Sequence, residues 1–509
     1  MLTFSEAVAN AEDRATVESE VRLLAPNGTA MAGVFTWNAA FTELTFNPTG
    51  RLKYQSTYTI STGPATASAA ASVVKASVTP GDVPFTTMLM SDFNGDGFAD
   101  LVLASPQKDV GGVEKVGQAY VYNGAAVGIS ATPSLIFSGV GQPQEIFGNA
   151  HAAADVNGDG YADLIVGAPG RGSFAGGVDV YNGSATGLSG TPNLTLAGAQ
   201  ASAVLGSFVA NVGDVNGDGF DDLSISAVRY DVDALSDAGA IFVHYGSASG
   251  VAQNPDMTIL GEGQNAGLGT SATGGDFNGD GFDDLVAGAS GYDGGRGQST
   301  IYPGSPSGLL TDAASITRLT GENANDIFGY SMTVSDVNGD GYPDLALGAL
   351  GWANGVGSVY VYPGAAAGIS AANFARLVGD SQPDLFGLVA STGDVNGDGY
   401  DDLLIGAPYA VADARDGKAY LHNGSATGSE QAPSITWDGT GAEYLGVVYP
   451  SLDLNGDGLL DAIVGAPYYD AERGRAFIHY GDGSAFSAPP VELTGESVGD
   501  HFSDNLQPS

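Results

Sequence analysis

Seven short segments of the chain gather residue types that bind hard cations, all with the same spacing. Each reads Asp-x-Asn-Gly-Asp-Gly-x-x-Asp, which puts side-chain oxygens at positions one, three, five and nine. The backbone carbonyl of position seven is a fifth candidate donor. The first loop offers Asp92, Asn94, Asp96, Phe98 and Asp100, the second Asp155, Asn157, Asp159, Tyr161 and Asp163. The third offers Asp214, Asn216, Asp218, Phe220 and Asp222, the fourth Asp276, Asn278, Asp280, Phe282 and Asp284. The fifth offers Asp336, Asn338, Asp340, Tyr342 and Asp344, and the sixth Asp394, Asn396, Asp398, Tyr400 and Asp402. The seventh has Asp453, Asn455, Asp457, Leu459 and Asp461. An all-oxygen donor set at this spacing suits calcium, and seven loops predict about seven ions. Position six is Gly throughout, where the sharp turn would be obstructed by a Cβ. Without a cation, three converging carboxylates per loop would repel one another.

Asp, Asn and Gly also build plain turns, but seven copies with the same four oxygen positions argue for binding. An EF-hand is excluded. It needs an acidic residue at position twelve and a helix behind it. Here position twelve is Leu103, Val166, Ile225, Ala287, Leu347, Ile405 or Val464, each inside a strand-like run.

The elements that must hold these loops follow from their period. The first aspartates lie 58 to 63 residues apart, too long for most solenoid coils and right for one four-stranded blade. Each period holds a small-residue run before the loop (YSMTVS) and a β-branched or Leu-rich run after it (DLIVGA). An alternating run ending at a Gly turn follows (VYVYPG), then a last short run (SLIFSG). Strand-length runs punctuated by Gly favour β structure over helix. The expected fold is all-β: a seven-bladed propeller of four-stranded antiparallel blades over residues 81–500.

The segments EIFGNAHAAADVNGDGYADLIVGAPG, DIFGYSMTVSDVNGDGYPDLALGA and DLFGLVASTGDVNGDGYDDLLIGAPY resemble the FG-GAP repeat of integrin α-subunits and many bacterial surface proteins. Phe147-Gly148, Phe328-Gly329 and Phe386-Gly387 match the first signature, and Gly167-Ala168-Pro169, Gly406-Ala407-Pro408 and Gly465-Ala466-Pro467 the second. The resemblance implies a propeller with calcium in hairpin loops on one face, ligated at the positions named above. There are departures. Leu205-Gly206, Leu268-Gly269 and Leu445-Gly446 replace Phe-Gly, the first repeat offers only Phe85-Thr86, and Leu459 replaces the aromatic residue of the other loops. The tail, GDHFSDNLQPS, reads as the start of another repeat that docks beside blade one, with residues 501–509 set apart as tail.

Residues 1–62 resemble part of a bacterial Ig-like β-sandwich, on LTFSEAV and ELTFNPTGRLKYQSTYTISTG, and residues 63–80, rich in Ala, Ser and Thr, read as a linker. No opening strand of that domain precedes Leu2, and no basic-then-apolar leader is present. The chain is therefore expected to start inside a longer protein. The resemblance implies an extracellular or cell-surface location. With 58 acidic and 16 basic residues, a formal charge of −42, nucleic acid and anionic membranes are unfavourable partners. No apolar run is long enough for a membrane span, and no Cys is present.

No catalytic residue is nominated. His244, His422 and His479 stand where other repeats have Tyr, and no Ser-His-Asp order is visible. The expected function is a calcium-binding scaffold for adhesion or for recognising a protein or glycan, not an enzyme. Two alternatives remain, the propeller part of a secreted polysaccharide-acting hydrolase or lyase and a structural spacer of a bacterial surface protein. Loops between second and third strands vary most, and such loops on rigid scaffolds commonly carry recognition. Tyr292, Trp352, Tyr409, Tyr468 and Arg473 are the candidate ligand residues there, on the face opposite the Asp loops.

Overall fold

The computed structural model describes residues 91–509 apart from 411–415, 483–485, 487–488 and 505–509, and before residue 91 only the strands named next. The chain divides into two units, Met1–Leu89 and Met90–Ser509.

The first unit has two three-stranded antiparallel sheets. One orders Leu2–Thr3, Glu43–Pro48 and Gly33–Trp37, the other Val21–Leu24, Thr57–Thr62 and Gly81–Thr86. The repeat pattern places residues 81–86 in the propeller, but in the structure Gly81–Thr86 pairs along its whole length with Thr57–Thr62, with Tyr58 opposite Phe85. Phe85-Thr86 is therefore not the opening of the first blade. The proposed linker, residues 63–80, lies outside the described residues.

The second unit is the seven-bladed propeller. Blades two to seven each have four antiparallel strands in chain order. Blade two is typical: His151 faces Val166, Leu164 faces Tyr181, and Val180 faces Leu194. Its second strand, Asp163–Gly167, is wholly buried, as apolar DLIVG requires, while its outer strand Leu194–Ala197 alternates exposure.

The two repeat signatures meet between blades. The Phe of each Phe-Gly is buried against the preceding blade. Phe147, Phe328 and Phe386 are at most 2 % exposed, and Leu205, Leu268 and Leu445 fill the same place. A Cβ on Gly167 would lie 2.1 Å from the carbonyl oxygen of Gly206, and one on Gly406 1.8 Å from that of Gly446. The glycine of Gly-Ala-Pro thus admits the backbone of the next blade.

The ring is closed by the C-terminal tail. Phe502, 1 % exposed, donates its N–H to Arg473 of blade seven, as Phe147 does to Val116. Ser503 N–H donates to the carbonyl of Ala104 in blade one at 3.0 Å, the bond that Gly148 makes to Gly167. Lys108 of blade one reaches Asp500 at 2.5 Å. His501-Phe502-Ser503 thus supplies the Phe-Gly step that the first repeat lacks.

Candidate functional site

In blades two to seven the Asp loop sits between the first and second strands, in blade one it leads into Leu101–Ser105, and the propeller brings all seven into one ring. Each is held by its own carboxylates. In the first, Asp92 accepts the backbone N–H groups of Gly95, Asp96 and Gly97 at 2.7 to 3.2 Å. Asn94 accepts from Asp96 and Asp96 from Phe98. Position six requires positive φ, +89° at Gly97.

Position nine behaves differently. Asp100, Asp163, Asp222, Asp284, Asp344, Asp402 and Asp461 are at most 2 % exposed. All but Asp284 bridge two backbone N–H groups; Asp284 accepts that of Gly304, while Phe277 N–H donates to Gly275. Asp100 takes Phe93 in its own loop and Gly124 at the turn between third and fourth strands. Burial, reinforced by the carboxylates at positions one and five, pushes these carboxyls up to about 7, and that of Asp222 to about 8. In the fifth loop the Asn338 amide faces the position-nine carboxylate, donating to Asp344 at 3.2 Å.

The donors fit a hard cation in type and order. They are three carboxylates, an amide oxygen and a carbonyl, on a turn already formed. A divalent ion would also offset the mutual repulsion that adds to burial in raising position nine. Among the described residues, no three acidic or His side chains are drawn tightly enough together to hold an ion as they stand. The carboxylates are spent on backbone N–H groups instead.

The opposite end of the blades carries the nominated ligand residues, and the structure sorts them. Tyr409 and Tyr468 are brought together by a third ring, Tyr444, with centroid distances of 5.1 and 4.4 Å, and His501 of the tail continues the row 4.9 Å from Tyr468. Trp352 is committed elsewhere: its indole N–H donates to Glu322, and the Arg376 guanidinium lies 5.1 Å from its ring. Tyr292 packs on the core of blades three and four, and Arg473 pairs with Asp470. Sequence reasoning missed Tyr444, just before the first strand of blade seven, and His501 of the tail, neither of which lies between a second and a third strand. The histidines His244, His422 and His479 end third strands, as their alignment with Tyr suggests.

Family models for the FG-GAP repeat match residues 268–302, 328–362, 386–422 and 450–483, and an FG-GAP-like repeat matches 92–166. The propeller is built of FG-GAP repeats. A bacterial Ig-like domain matches residues 1–87, which carries the boundary past Gly81–Thr86 as the strand pairing does. The FG-GAP propeller is 35 % identical to chicken integrin alpha-V over 216 residues, 39 % of this chain and 20 % of the integrin. It is 33 % identical to Xenopus laevis integrin alpha-5 over 230 residues, 42 % and 21 %. Human phosphatidylinositol-glycan-specific phospholipase D is 30 % identical over 402 residues, 69 % of this chain and 46 % of the enzyme. The chain thus spans about a fifth of these integrins and under half of the phospholipase. No helix among the described residues is long and apolar enough to cross a membrane.

Proposed function

We propose that this FG-GAP propeller is a calcium-stabilised recognition scaffold of the cell exterior, not itself an enzyme, with calcium on the Asp-loop face and a protein partner on the opposite face. The calcium reading rests chiefly on the seven buried position-nine carboxylates, each raised first by burial and further by the carboxylates at positions one and five of its loop. Positions one, three, five and nine, with the carbonyl of position seven, would hold the ion. The ion would tie each loop's turn to its second strand. Calorimetric titration of the purified chain tests this, with about seven sites expected and no binding heat as the refuting result.

The recognition reading is supported by the similarity to integrin alpha-V and alpha-5 and by the row Tyr409, Tyr444, Tyr468 and His501. Aromatic rings commonly anchor such interfaces. Replacing Tyr409 and Tyr468 by Ala should impair partner capture while calcium-dependent melting stays unchanged. A glycan found there instead would replace the protein partner.

One observation favours a second reading, the propeller portion of a hydrolase. The similarity to the human phospholipase runs over 69 % of this chain. Hydrolysis of a phosphodiester or polysaccharide by the purified chain would establish that reading.

A further inference from the structure

The Asp loops are not independent. The Tyr161 ring lies over Gly95, so that a Cβ there would come within 2.5 Å of Cε1. In general, the position-seven aromatic of each loop covers the position-four glycine of the loop before it. Phe220 covers Gly158, Phe282 covers Gly217, Tyr342 covers Gly279, Tyr400 covers Gly339, and Phe98 covers Gly456 across the ring closure. Backbone bonds run in the same direction. The position-eight N–H of one loop donates to the position-one carbonyl of its predecessor: Ala162 to Asp92, Asp221 to Asp155, Asp283 to Asp214, Asp401 to Asp336, Ala99 to Asp453. Where position eight is Asp, its carboxylate also accepts the position-one N–H: Asp221 from Asp155, Asp283 from Asp214, Asp401 from Asp336, at 2.8 to 3.0 Å.

One junction lacks all three links. Loop seven carries Leu459 and Leu460 at positions seven and eight. Leu459 is held as its counterparts are, its N–H donating to Asp457 at 2.9 Å, but its side chain is too short to reach the preceding loop. Nothing lies within 4 Å of a Cβ built on Gly397. Among the described residues, no backbone bond joins Leu460 to Asp394. Loop six is otherwise like the rest, with Asp394 accepting from Gly397, Asp398 and Gly399 at 2.7 to 3.1 Å. Only its neighbour differs.

We infer that each loop's cation site is completed by the following blade, and that the sixth loop (Asp394, Asn396, Asp398, Asp402) is the weakest site of the ring. Position-seven aromatics are positioning residues for the neighbour's turn. An uncovered turn samples more conformations, and ordering it lowers apparent affinity. A ring contact of this kind supports a difference of about two- to tenfold. The inference rests on the calcium reading only for its affinity arm, since the links are contacts between protein atoms alone.

The test is hydrogen–deuterium exchange, resolved by loop, on the full chain and on Leu459→Phe and Phe98→Leu, across a calcium titration. The wild-type chain should exchange fastest at Gly397–Gly399 without calcium and reach protection there at the highest calcium concentration. L459F should slow that segment and lower its calcium midpoint about two- to tenfold, leaving loop three unchanged. F98L should instead raise the midpoint of loop seven, whose Gly456 it uncovers. Equal exchange in all loops without calcium, or an L459F effect absent from loop six, overturns the inference. If calcium protects no loop, the calcium reading fails, and the calcium-free exchange order still decides the coupling.

Discussion

The ring closure can be tested at one side chain. Phe502 is 1 % exposed and meets Tyr120 of blade one edge-on at 5.6 Å. Truncating a buried Phe to Ala costs about 3–5 kcal/mol. The backbone bonds of His501, Phe502 and Ser503 remain in that variant, so the loss is of packing alone. Deleting residues 495–509 also removes those three bonds, each worth about 1 kcal/mol. It strands Lys108, only 7 % exposed, without Asp500, and breaking such a pair costs about 3–5 kcal/mol. A domain holds about 5–15 kcal/mol in all, so the deletion should leave the propeller near or below its folding threshold. Urea unfolding followed by tryptophan fluorescence reads this directly, because Trp352 and Trp437 lie in blades five and six. F502A should lower the midpoint about as much as Phe386→Ala at an interior junction. A synthetic peptide of residues 495–509, added in trans, should restore the truncated chain. If F502A stays within about 0.5 kcal/mol of wild type, or the truncated chain unfolds at the wild-type midpoint, closure by the tail is wrong.

Three further outcomes follow. Excess chelator should lower the melting temperature of the propeller, because ligands bound only by the folded state stabilise it by mass action; an unchanged melting curve refutes calcium as a structural ligand. Gly406→Ala should cost about 1–3 kcal/mol by forcing a Cβ against the Gly446 carbonyl, and a neutral effect would show that the blade interface has slack. Burial lowers the His479 imidazole to about 4 from an ordinary 6.5, so the unfolded chain binds the extra proton first. Its contribution is intact above pH 6.5 and falls as pH drops towards 4, by at most about 1.4 kcal/mol per unit; wild type minus His479→Gln in urea midpoints across that range should show this slope, and parallel profiles would refute it.

What was legible in the sequence is what one repeat contains. Asp-x-Asn-Gly-Asp-Gly-x-x-Asp names its turn and the strand behind it within nine residues, and the period near 60 fixes the blade. What was not legible lies between repeats. Nothing local to Tyr161 says that its ring covers Gly95, or that Asp221, one residue before a donor, caps Asp155 of the previous blade. Trp352 looked free for a partner because its occupants, Glu322 and Arg376, come from other strands. The same logic explains both departures from the repeat. The missing Phe-Gly of blade one is supplied by Phe502-Ser503 because closing the ring requires the segment after blade seven to make the junction with blade one that each other repeat makes with its neighbour. Leu459 leaves the hydrogen bonds of its own turn intact because a position-seven side chain acts on the loop before it, so its effect falls on Gly397, one blade away.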